Sequence, residues 1–146
     1  MADSRIASNG HIDLAPRRIH VVGDDGVGVF LASELSTYVH TSFVGVDETA
    51  TASAARAGLE TSQIDVTDLR SFAFATFSDG DTVIVASSVD ARNFLLAQTI
   101  KMTTGVDEII VRLANPHNAS AFEEIDVETV CIASMLTTEV LDRLTS

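Results

Sequence analysis

Short runs of β-branched and aliphatic residues alternate, along most of this chain, with longer stretches whose apolar positions recur every three or four residues. Such alternation marks βαβ units and a parallel sheet covered on both faces. The short runs place strands at Arg18–Val22, Ser42–Val46, Thr61–Asp65, Asp81–Ala86, Glu108–Leu113 and Thr129–Ile132. The amphipathic stretches place helices at Gly28–Tyr38, Thr49–Ala57, Asp68–Phe77, Asp90–Thr103, Pro116–Glu124 and Leu136–Leu144. Their punctuation agrees: Thr67-Asp68 and Asp90 suit N-caps, Pro116 suits a first helical turn, and Gly58 and Gly105 suit helix exits. The expected fold class is α/β, a three-layer αβα arrangement on a six-stranded, mainly parallel sheet.

Residues 1–16 lack apolar periodicity and read as a flexible leader, leaving 17–146 as one domain. A chain of 146 residues is long enough to bury roughly two-thirds of its unfolded surface, so a self-sufficient core is expected. No apolar run approaches the ~20 residues needed to cross a bilayer, and the first residues lack the apolar segment of a signal peptide, which predicts a cytoplasmic protein. Charge narrows the partners. With 21 Asp and Glu against 9 Lys and Arg, the net charge is −12, and such a surface repels nucleic-acid phosphates. Lys101 is the only lysine, and the profile of many acids with few lysines is similar to proteins of high-salt cytoplasms, where dense negative charge is screened. The single cysteine, Cys131, excludes an internal disulfide and reads as a small core hydrophobe.

Candidate chemistry concentrates at the first strand-to-helix turn. Val21-Val22-Gly23 runs into Asp24-Asp25-Gly26-Val27-Gly28, and Leu31, Ala32 and Leu35 follow at helical spacing. A strand entering a glycine turn that opens a helix is the context of a Rossmann-like phosphate site. The glycines fit G-x-x-x-x-G, with Asp25 where a dinucleotide fingerprint has its second glycine, the one that lets the backbone approach the pyrophosphate. Gly23 and Gly28 also suit a tight turn and close helix–strand packing with no ligand at all. Asp24 and Asp25, at a helix N-terminus, could occupy the phosphate's place instead of serving it.

Three further positions lie at expected carboxyl ends of parallel strands, the edge where open α/β sheets bind ligands. Asp47 falls 24 residues after Gly23, near the offset of a ribose-binding acid, and with Glu48 it disfavours a 2′-phosphate. It equally suits an N-cap for the next helix. Asp65 could accept from an adenine amine, and Ser87 and Ser88 are small enough to let a ribose or phosphate pass; both sites also read as capping and turn residues. Elsewhere the chemistry is thin. There is no G-x-S-x-G, H-E-x-x-H or C-x-x-C, the four histidines lack ligand spacing, and His20 reads as a packed or edge histidine.

In order along the chain, Val21-Val22-Gly23, Val27-Gly28 with Leu31-Ala32, Glu34-Leu35, His40, Val46-Asp47, Asp65-Val66-Thr67-Asp68, Asp90 to Leu96 and Val111-Arg112-Leu113-Ala114-Asn115-Pro116-His117 resemble one family. It is the TrkA N-terminal domain, also called the RCK N-terminal domain, and the resemblance covers about residues 17–144. The resemblance implies a Rossmann-like domain that binds NAD(H) or an adenine nucleotide (ATP, ADP or AMP) and passes its occupancy to a potassium channel or transporter by changing shape, without hydride chemistry. It places the phosphate turn on Gly23, Asp25, Gly26, Val27 and Gly28, the ribose acid on Asp47, adenine contacts on Asp65 and Val66, and a further ligand segment on Ser87 and Ser88. This chain departs from the family in two further places. Gly26 stands where members often carry an arginine for a terminal phosphate, and Ile64 replaces a glycine before the third-strand aspartate.

The resemblance also implies a stand-alone cytoplasmic regulatory subunit, a homodimer through the terminal helix (Met135, Leu136, Val140, Leu141, Leu144), peripheral to the membrane through a transporter subunit. Two alternatives stay open. One is a degenerate scaffold without cofactor, because of Asp25, that acts in dimerisation. The other is a small NAD-dependent oxidoreductase, disfavoured because Tyr38 and Lys101, the only tyrosine and lysine, form no Tyr-x-x-x-Lys pair.

Overall fold

A computed structural model describes residues 17–65, 67–68 and 77–146. Six strands run in the order β3-β2-β1-β4-β5-β6: β1 (Ile19–Gly23), β2 (Thr41–Gly45), β3 (Glu60–Gln63), β4 (Thr82–Val85), β5 (Glu108–Leu113) and β6 (Glu128–Cys131). Every pairing is parallel, with Val21 level with Phe43 and Ile84, and Val22 level with Val44 and Val85. This is the doubly wound order, and the chain reverses direction between β1 and β4, which opens a crevice at their carboxyl ends. The sheet is therefore wholly parallel where the sequence predicts a mainly parallel one.

Because side chains alternate along a strand, the two sheet faces build separate cores. Val21, Phe43 and the partly buried Ile84 meet Val29 and Ala32 of α1 (Gly26–Leu35) and Ala50 and Ala54 of α2 (Glu48–Arg56). On the other face Val22, Val44, Val83, Val85, Val111 and Leu113 meet Leu96, Ala97 and Ile100 of α3 (Asp90–Thr103) and Phe122 of α4 (Ala119–Glu124). A single 3-10 turn, Pro116–Asn118, leads into α4, so the expected helix over Pro116–Glu124 is two pieces. The last helix, α5 (Ile132–Thr145), buries no side chain and packs only on β6 among the elements it meets closely.

Several boundaries differ for identifiable reasons. Helix α1 stops at Leu35 instead of Tyr38, because Ser36 caps it and its hydroxyl donates to the Ser33 carbonyl at 2.6 Å. Helix α5 starts at Ile132, four residues before the expected Leu136, since β6 passes straight into it and Ile132 looks like a strand residue in sequence. Asp90 is the first residue of α3, not its N-cap, which is Val89. Gly58 adopts φ 85° just past α2, as a helix exit requires, whereas Gly105, just past α3, has no positive φ, and a Cβ there would meet only the flexible end of the exposed Asp79 side chain. The leader at residues 1–16 and most of the expected helix Asp68–Phe77 lie outside the described residues; Asp68 and Phe77 themselves are not helical.

At the amino-terminal ends of the strands, far along the sheet from the crevice, His20 is fully buried. Asp81 accepts from its Nε2 at 2.9 Å, Ser42 Oγ lies 2.7 Å from Nδ1, and the ring stacks on Phe77 with centroids 4.3 Å apart. An ionised carboxylate only accepts, so Nε2 carries the proton and Nδ1 accepts from the Ser42 hydroxyl. The expectation of a packed histidine holds, and the set is a core network with every member bonded.

Candidate functional site

The carboxyl ends of β1 to β5 converge on one edge. Gly23 ends β1 and α1 begins three residues later, after a turn whose tightness depends on missing side chains. A Cβ at Gly23 would meet the Phe43 ring at 3.3 Å, and one at Gly28 would meet Phe43 Cε1 at 3.4 Å and Gly23 Cα at 3.5 Å. The ring of Phe43 is thus the floor of the turn. Gly26 is different: nothing lies within 4 Å of a Cβ there, so packing leaves room for a side chain.

Asp25 is the N-cap of α1, in extended geometry (φ −146°, ψ −179°), and accepts from the Gly28 N–H at 3.3 Å. Arg112, near the end of β5, donates through Nη1 to both Asp25 oxygens at 3.1 and 3.0 Å and to the Ala86 carbonyl at 3.1 Å. Its Nε is buried without a partner among the described residues. Asp24 is buried deeper, with its side chain 7% exposed. It accepts from the Ser88 N–H and hydroxyl, both at 2.9 Å, and from Arg92 Nη1 at 2.9 Å. Both acids are thus bonded within the protein at the start of α1, Asp25 as its cap and Asp24 to the β4 exit.

Beside the turn, Val46, Asp47, Glu48, Thr49, Gln63, Ile64 and Asp65 line a cleft of about 690 Å³. Asp47 is the N-cap of α2, and its Oδ1 accepts from the Ala50 N–H at 2.8 Å. Oδ2 has no partner among the described residues, so capping and ribose binding are compatible. Glu48 is the exposed first residue of α2, favourable at a helix N-terminus. Asp65 folds over Thr67, accepting from its hydroxyl at 2.6 Å and its N–H at 2.9 Å, and these bonds hold its carboxyl below the usual range. Ile64 is buried in the cleft wall, and Val66 lies outside the described residues.

At the β4 end both serines bond within the protein. Ser87 is buried, with its hydroxyl donating to the Val89 carbonyl at 3.3 Å and its N–H to Asn93 Oδ1 at 3.1 Å. Ser88 is committed to Asp24. Asp90 bridges instead to the β5 exit, accepting from the Ala114 N–H at 2.8 Å, the Asn115 N–H at 3.0 Å and Asn118 Nδ2 at 2.9 Å. Burial alone would raise its pKa, and those three donors outweigh it, holding the carboxyl below the ordinary range. Cys131 is half-buried at the head of α5, and bonding to Ser134 lowers its thiol pKa; it is a junction residue more than a core one. Arg92 and Arg112 carry no role in the sequence reading. The available signal is a charge at position 112 between Val111 and Leu113, near the carboxyl end of a strand.

A glycine turn, an acid at the second strand end and a doubly wound parallel sheet define a Rossmann-like nucleotide-binding domain. The TrkA-N domain family model matches residues 19–133, and the chain belongs to that family. It is similar to the crystal structure of the NAD(P)-binding domain of an exopolyphosphatase-related protein from Archaeoglobus fulgidus. The likeness has a TM-score of 0.75 and 23% identity, and covers 86% of this chain and 96% of that one. No curated protein matches the chain.

The residues fit a dinucleotide in one half only. The cleft with Asp47 at its lip suits an adenosine moiety, whereas Asp25 and its arginine fill the turn a pyrophosphate would need.

Proposed function

We propose that the chain is a regulatory, non-enzymatic domain that senses an adenine nucleotide, NAD(H) or ATP, ADP or AMP, and reports occupancy to a potassium channel or transporter subunit at the membrane. The observation that carries this reading is the acidic cleft beside the glycine turn, with Asp47 Oδ2 open to a ribose diol. Family membership supports the regulatory role. No described helix is long and apolar enough to cross a membrane. Calorimetric titration with NAD, NADH, ATP, ADP and AMP at low and high salt tests it: saturable binding of at least one is expected, and none at any salt overturns it. The scaffold reading is favoured by one observation, the Asp25–Arg112 pair, and the same titration separates the two. Turnover of reduced cofactor with carbonyl substrates would instead favour the oxidoreductase.

Transmission fits a homodimer built through α5. Met135, Leu136, Val140, Leu141 and Leu144 are all exposed, and three of them recur at four-residue spacing. Because neither side chain is buried among the described residues, Leu136→Asp and Leu141→Asp should each change folding stability by no more than about 0.5 kcal/mol while shifting sedimentation from dimer to monomer. The net charge of −12 adds a salt dependence: both the melting temperature and the dimer fraction should rise between roughly 0.1 and 1 M salt, as the Debye length falls from ~10 to ~3 Å. A monomer at every salt concentration would remove the dimer.

A further inference from the structure

We propose that the Asp25 carboxylate, clamped by Arg112 over the first turn of α1, is a built-in substitute for a ligand phosphate that narrows the proposed ligands to those without a pyrophosphate, AMP or its nucleoside. This deepens the nucleotide reading and rests on it for the adenosine half of the ligand.

Several of the donors that an anion would use at this turn are already engaged. The Gly28 N–H and Arg112 Nη1 are held by Asp25, while the Ser88 N–H, the Ser88 hydroxyl and Arg92 are held by Asp24. Two carboxylates balance two guanidinium groups, so an incoming pyrophosphate meets no uncompensated positive charge. It meets repulsion from two fixed carboxylates in a partly buried setting, where charge pairs interact more strongly than in water. Displacing Asp25 would also strip α1 of its cap. Gly26 supplies no replacement cation, although there is space for one.

The same geometry makes Arg112 a latent phosphate ligand. It reaches the turn from β5, 87 residues away in sequence, with its side chain 17% exposed and anchored to the Ala86 carbonyl. Removing Asp25 would leave a positioned, half-buried guanidinium facing the helix N-terminus, which is the combination that binds phosphate well.

The test uses adenosine, ADP and inorganic pyrophosphate against the wild type, Asp25→Gly, Asp25→Asn and Asp25→Gly/Arg112→Met, with circular dichroism confirming that each variant is folded. Asp25→Asn keeps a good N-cap and guards against loss of the turn. The wild type should bind adenosine at least as tightly as ADP and should not bind pyrophosphate. Both single variants should gain roughly fivefold or more for ADP relative to adenosine, and should bind pyrophosphate, since removing a like charge in a partly screened site has about that effect. Adding Arg112→Met should abolish the gain.

A wild type that prefers ADP to adenosine, single variants without the gain, or a gain that survives Arg112→Met would each overturn the proposal. Pyrophosphate binding that follows this pattern without any adenosine binding would sustain the latch and overturn the nucleotide reading. Adenosine binding unaffected by any variant, with no pyrophosphate binding, would do the reverse. Failure of every ligand with every variant overturns both.

Discussion

Replacing Phe43 with alanine is expected to destabilise the domain by about 3–5 kcal/mol, the usual loss for deleting a fully buried aromatic ring. For a chain of this size that corresponds to a melting temperature lower by about 10–15 °C. The effect should reach the site as well, because the ring lies beneath both Gly23 and Gly28 and supports the turn from below. A Phe43→Leu variant, which leaves a much smaller void, should fold nearly as well while supporting the turn less completely. Thermal unfolding of the two variants side by side checks this. A loss below about 1 kcal/mol for alanine would mean that the turn does not rest on this ring.

Acid should unfold the protein in two stages, both traceable to the network at the opposite end of the sheet. Burial depresses the pKa of His20, outweighing the raising effect of the Asp81 hydrogen bond and charge. The folded state therefore resists a proton that the unfolded chain accepts below about pH 6.5, and stability falls as the pH drops through that value. Asp81 adds the second stage. Burial would raise its pKa, but the bonds it accepts from His20 and the Ser78 N–H, with the Arg18 backbone, together hold it down. Its contribution is present above about pH 4 and is lost as the pH falls further. At neutral pH, Asp81→Ala should cost about 2–4 kcal/mol, since it leaves the buried His20 Nε2–H and the Ser78 N–H without an acceptor. Chemical denaturation between about pH 2.5 and 8 reads both stages. If His20→Gln left the slope between pH 5 and 6.5 unchanged, the first stage would have another source.

What the sequence shows and what it hides divide along a physical line. Glu108–Leu113 and Asp90–Thr103 are legible to the residue, because the first is built around a β-branched run, Ile109 to Val111, and the second places Leu96, Ala97 and Ile100 on one helical face. The glycine turn is legible for the same local reason, as is the capping role of Asp47, whose bond spans only three residues. The pairings that decide the site are not local. Arg92 reaches Asp24 across 68 residues, Arg112 reaches Asp25 across 87, and Asp90 bonds residues 24 to 28 positions ahead of it instead of capping its own helix. No spacing rule announces such contacts; they exist only because parallel winding brings the ends of β1, β4 and β5 to one edge. The exposure of α5 is hidden similarly, since its apolar stripe reads the same whether it covers its own sheet or a partner.

The central claim, that this TrkA-N domain reads an adenine nucleotide through the cleft at the ends of β2 and β3, is tested most directly by calorimetry on the wild type and Asp47→Asn. Asparagine caps a helix as well as aspartate does, so α2 and the overall stability should be preserved. What is lost is the charged acceptor for the ribose hydroxyls, worth roughly 1.5–3 kcal/mol, so affinity for the bound nucleotide should fall about 10- to 100-fold. Equal affinity in a folded Asp47→Asn protein would place the nucleotide elsewhere and contradict the account.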